Sequence, residues 1–78
     1  MLQQMSSSEF YERGLVLMEL RMFHPAIDDF QTVAKDPRYA GKAYVPMALC
    51  LKAIGRHEEA VAAFRQAITS PMVSPVEQ

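Results

Sequence analysis

Shifted against itself by 34 residues, this sequence lands on its own pattern. Leu15 meets Leu49, Leu17 meets Leu51, Ala26 meets Ala60, Phe30 meets Phe64 and Pro37 meets Pro71. Phe10 meets Tyr44, Gly14 meets Ala48, Leu20 meets Ile54 and Ile27 meets Val61, each pair keeping size class or polarity. A fixed period of about 20–50 residues marks a stack of supersecondary units, because each unit buries on its neighbour a face that it cannot bury alone.

The unit itself is clearest in the second copy. Tyr44, Met47, Ala48 and Leu51 recur at helical spacing, so they share a face. Ala60, Val61, Phe64, Ala67 and Ile68 do the same beyond a turn at Ile54-Gly55-Arg56-His57. Gly55 stands where the first helix must stop, since glycine enters the left-handed region without a Cβ penalty. Glu58 and Glu59 open the next helix, where negative charge complements the helix dipole. The unit is a helical hairpin with apolar inner faces.

The element boundaries follow from capping chemistry. Ser6 and Glu9 form an S-x-x-E capping box, which predicts a first helix from about Ser7. Met22-Phe23-His24 reads as a turn, with Pro25 at the first position of helix two, where its missing N–H costs nothing. That helix should end near Lys35, with Asp36-Pro37 as turn and Asp36 as the next cap. Helix three is expected from about residue 38–41 to Ala53, with a kink or a late start at Pro46. Helix four should run from about Glu58 to Thr69, before Pro71 and Pro75 end the pattern.

On these residues the sequence resembles the tetratricopeptide repeat family, whose unit carries aromatic, small and closing-proline slots. The second copy fills them with Tyr44, Met47, Ala48, Leu51, Ala60, Phe64, Ala67 and, one residue early, Pro71. The first offers Phe10, Gly14, Leu17, Ala26, Phe30, Val33 and, again one early, Pro37. Gly14 and Ala48, with Ala26 and Ala60 opposite, let helix axes approach closely. The resemblance covers about residues 7–71. Besides Pro46 inside helix three, three departures stand out. Arg13 replaces the preferred Leu, with a stem able to cover apolar surface while its guanidinium reaches water. Arg21 occupies the place of Gly55, so it must adopt a left-handed turn or shift the helix end. Leu51 replaces Tyr. The resemblance implies an all-α fold of two stacked antiparallel helical hairpins with a right-handed superhelical twist. It forms one domain over 1–78, with repeat one at about 7–40 and repeat two at about 41–74.

Composition narrows the function. Half of the 78 residues are apolar and the net charge is −1, the profile of neither a disordered tail nor a nucleic-acid binder with a basic face. A single cysteine, Cys50, allows no internal disulfide and fits a reducing, cytoplasmic setting. No apolar run approaches the roughly 20 residues of a membrane span, and no secretory signal is evident.

Chemistry has little to build on. Cys50 with His24 or His57 carries no nucleophile signature, and a small buried thiol explains it. His24 and Asp28 are half a metal site at most. The expectation is no enzyme, no cofactor and no metal. Helical repeats that read RNA need basic and polar groove side chains, whereas Tyr11, Leu15, Val45 and Leu49 stand here.

By resemblance, the first helix of each hairpin lines a concave groove. Its residues would be Tyr11, Leu15, Met18 and Glu19 from copy one, with Ser8 and Glu12 beside them. Copy two would add Lys42, Val45, Leu49 and Lys52, with Ala53. Family members that clamp a C-terminal carboxylate use Lys, Arg and Asn in these slots, and Leu15 and Leu49 stand where the paired Asn would be. An apolar stripe rimmed by charge suits an amphipathic helix or apolar peptide of a protein partner. The alternative is that Leu15 and Leu49 are core. A second possibility is a structural scaffold fragment or self-associating adaptor. Val61, Phe64 and Ile68 would face a fifth helix if one followed. Met72, Val73 and Val76 could fold over them, a further repeat could follow, or two copies could meet there as a homodimer.

Overall fold

The computed structural model describes residues 5–69, and within them the chain is all-helical. Four helices follow one another: α1 (Ser7–Glu19), α2 (Phe23–Ala34), α3 (Ala40–Ala53) and α4 (His57–Thr69). Consecutive helices pack along their lengths, giving two antiparallel hairpins stacked through α2 and α3. α1 touches α3 lightly, and among the described residues α2 and α4 do not meet. The core therefore centres on the two inner helices. Ala26, Ile27, Phe30 and Val33 of α2 are buried against Ala43, Met47, Ala48, Cys50 and Leu51 of α3, with Ala60 and Ala63 added from α4. Gly14 is the buried residue of α1, whose Phe10, Leu17 and Met18 are half-buried.

The expected start signals hold at α1. The Ser6 hydroxyl accepts from the Glu9 N–H, and the Glu9 carboxylate accepts from the Ser6 N–H, so two orphan donors are satisfied reciprocally. Both hairpin turns close alike. In the first, Arg21 N–H donates to Met18 C=O and Met22 N–H to Leu17 C=O. In the second, Gly55 N–H donates to Lys52 C=O and Arg56 N–H to Leu51 C=O. These are paired Schellman closures, the same 34 residues apart, and each needs a left-handed residue. Gly55 takes φ 86°, and Arg21 takes φ 65° despite its Cβ.

Three local expectations are corrected and a fourth is extended. Phe23 and His24 already belong to α2, so Pro25 is the third helical residue rather than the first, still within the turn that lacks N–H acceptors. The Schellman closure ends the turn at Met22 and lets the next helix begin at once. Asp36 does not cap α3, which starts at Ala40 behind Tyr39. Its carboxylate instead accepts from the Arg38 N–H and guanidinium and from the Ser7 hydroxyl at 2.6 Å, tying the start of α1 to the inter-hairpin loop. Arg38 first, then Ser7, hold the Asp36 carboxyl well below the usual carboxylate range. Pro46 neither delays nor interrupts α3, which is helical from Ala40 through Ala53 with Pro46 buried inside it. Arg13 is exposed and lies over the Phe10 ring as expected, but its guanidinium also grips the buried Asp29 carboxylate bidentately, at 2.8 and 2.9 Å. Asp29 raises the Arg13 pKa further. The stop at Pro71 and Pro75 and the fold-back of Met72, Val73 and Val76 lie outside the described residues.

Candidate functional site: an apolar face across the first helix of each hairpin

The residues expected to line the groove fall on α1 and α3, and Tyr11 and Lys42 meet between the two helices. Tyr11 anchors it. Its ring meets Phe30 edge-on with centroids 6.1 Å apart, and Lys42 Nζ reaches over it at 5.1 Å. The same ammonium lies 5.9 Å from the Tyr39 ring, so α3's first turn is pinned to α1 by a cation between two aromatic faces.

Beyond this anchor the two helices contribute unequally. On α3, Val45 and Leu49 stand one turn apart and remain 44% and 46% exposed, although α3 is otherwise the most buried helix. On α1, Leu15 and Met18 are half-buried against the core. Leu15, Met18 and Glu19 line one shallow cleft of about 370 Å³, together with Val16 and Leu20. Lys52 and Glu19 are exposed at the rim, and no ion pair joins them. The structure thus joins Tyr11 to Lys42 and gathers Leu15, Met18 and Glu19, while Val45, Leu49 and Lys52 lie along α3 outside that cleft.

Two features escaped the sequence reading. Val16 and Leu20 are 56% and 62% exposed and extend the α1 cleft. The sequence pattern puts Leu20 on the first helix and matches it to Ile54; the signal for its exposure is its place beside the turn, where α1 has ended at Glu19. The second is a furrow of about 350 Å³ floored by Tyr44, Met47 and Leu51 of α3 and walled by Ile27 and Ala34 of α2 and by Ala62 and Gln66 of α4. It exists because α2 and α4 both pack on α3 without meeting.

On the other side, the α4 residues stand open: Val61 is 50% and Ile68 81% exposed, while Phe64 is half-buried against the core. Cys50 is fully buried, and burial pushes its thiol pKa up, away from the reactive thiolate. His24 and Asp28 are exposed, and among the described residues no three His, Cys, Asp or Glu side chains gather as metal ligands would. No helix among the described residues is long and apolar enough to cross a membrane.

Comparison with protein-family models, with curated proteins and with solved structures gives no match.

Proposed function

We propose that this chain is a non-catalytic protein-interaction module of the tetratricopeptide type, taking a partner's amphipathic helix or apolar peptide across α1 and α3. One observation carries the reading. Val45 and Leu49 stay exposed on α3, whose Ala43, Pro46, Met47, Ala48, Cys50 and Leu51 are all buried. Two exposed apolar side chains a turn apart, rimmed by Lys42 and Lys52 on the same helix, match the spacing with which an amphipathic helix presents its anchors.

The test is nuclear magnetic resonance titration with synthetic amphipathic helices carrying Leu at i, i+3, i+4 and i+7. Amide shifts should map to Tyr11, Leu15, Met18, Val45 and Leu49. Val45→Glu with Leu49→Glu should abolish them while the circular dichroism spectrum is unchanged. Shifts confined to α4 would place the binding surface there instead, and a double variant that unfolds would show that the face is core.

A second reading, a self-associating adaptor or scaffold piece, is favoured by a different observation, the open Val61 and Ile68 on α4.

A further inference from the structure

The junction between the hairpins shows what this backbone does with a stacked face. Ile27 of α2 is 5% exposed and Ala34 half-buried, whereas their counterparts on α4, Val61 and Ile68, are 50% and 81% exposed. On α3, Ala43, Pro46 and Cys50 are buried. The corresponding residues on α1 are Glu9, Glu12 and Val16, all exposed. Copies stacked head to tail would set α4 of one on α1 of the next. That arrangement would press two carboxylates, one of them holding the capping box, onto the Val61–Ile68 stripe. Burying charge without partners is strongly unfavourable. The α1 edge is therefore closed to such growth, while the α4 edge is open.

We infer that two copies of this chain pair α4 against α4, antiparallel about a two-fold axis beside Val61 and Ala62. The inference rests on the second reading, that the α4 face is an interface, and adds its symmetry. Charge sets the symmetry. Glu58 and Arg65 are two helical turns apart, as are Val61 and Ile68. At about 100° per residue, both charges fall along one edge of the apolar stripe. Their midpoint lies between Val61 and Ala62. A two-fold through that midpoint sets Glu58 of each copy opposite Arg65 of the other and brings the two Val61 side chains together. Within one chain, neither Glu58 nor Arg65 has an ion-pair partner among the described residues. By contrast, the neighbouring Glu59 is taken by Arg56. The same patch on both copies makes a closed, isologous contact, so assembly stops at two.

The contact is small. α4 has 13 residues and is about 20 Å long. One helix pair buries less than the roughly 800 Å² per partner of a standard interface. The dimer is accordingly a weak, concentration-dependent one.

Sedimentation equilibrium of the full chain, from micromolar to millimolar concentration, tests this directly. Wild type should pass from monomer to dimer with no larger species. Val61→Glu should remain monomeric. Glu58→Arg alone and Arg65→Glu alone each set like charges face to face twice and should weaken the dimer roughly tenfold at low salt. The double variant, with the two charges exchanged, should recover the wild-type dissociation constant. A wild type that is monomeric throughout overturns both the interface and its symmetry. Val61→Glu monomeric with charge variants unaffected keeps the α4 interface and overturns the two-fold pairing. Species beyond the dimer overturn the closure at two, since they require a further contact besides the α4 pair.

Discussion

Where α1 crosses α2, a guanidinium meets a buried carboxylate; at the matching positions of α3 and α4 the chain carries Met47 and Ala63, both buried. The repeats solve one crossing in two ways. In the first, Asp29 is 4% exposed and depends on Arg13, whose own side chain is half in water. In the second, a flexible thioether and a methyl fill the space with no polar group to satisfy. The hairpins differ again at their closest approach. Gly14 lies under the Phe30 ring, where a Cβ would come within 2.7 Å of Cε1 and 2.9 Å of Cζ. At the matching place Ala48 keeps its methyl, and Phe64 is half-buried rather than fully enclosed. They differ a third time at the turn, where Arg21 holds the φ that Gly55 holds freely. A common backbone plan therefore tolerates different chemistry at each joint, provided that each joint is complete in itself. Half of one solution combined with half of the other is the arrangement that fails.

The largest effect should come from splitting the ion pair. Arg13→Met alone leaves the buried Asp29 carboxylate without its cation, and stranding a buried charge costs more than removing both members of the pair. Arg13→Met with Asp29→Ala, which installs the second repeat's solution in the first, should melt near or above wild type. Thermal melts of the single and double variants decide it, and a double variant as unstable as the single would refute the equivalence of the two crossings.

Next in size is the glycine contact. Gly14→Ala forces a methyl into the fully buried Phe30 ring, and overpacking of this kind costs about 1–3 kcal/mol. Ala48, its counterpart, already accommodates that methyl. Urea denaturation should show a lowered midpoint for Gly14→Ala. An unchanged midpoint would mean that the α1–α2 crossing can open as far as the α3–α4 crossing.

The smallest effect concerns the turns. Arg21→Gly should stabilise the chain by about 1 kcal/mol, by removing a left-handed non-glycine residue. Gly55→Ala should destabilise it by a similar amount. Open space around Gly55 makes that cost purely conformational, since an added Cβ would meet nothing within 4 Å. Midpoints that move in the same direction for the two variants would contradict the shared Schellman geometry.

Much of this architecture was legible because it is local or periodic. The capping box at Ser6, the stop at Gly55 and the 34-residue repeat all follow from interactions within a helical turn or from apolar residues recurring along one face. The small residues at Ala26, Ala48 and Ala60 were recognisable for the same reason, and all three are buried. On the candidate site, the sequence placed Tyr11, Leu15, Met18, Val45 and Leu49 on the first helices of the hairpins. It did not distinguish half-buried Leu15 from exposed Leu49, because helical spacing reports which residues share a face and not how far a neighbouring helix covers it.

What the sequence alone determined is the helical hairpin and its copy, since those depend on residues three and four apart and on the 34-residue period. Only the tertiary structure decided that Arg13 finds Asp29, that Asp36 joins Ser7 instead of capping α3, and that α2 and α4 leave a furrow between them. These partners are 16 and 29 residues apart in sequence for the first two cases. Such pairings depend on the rotation and offset of whole helices, which no local pattern specifies and which the packing of α2 on α3 sets.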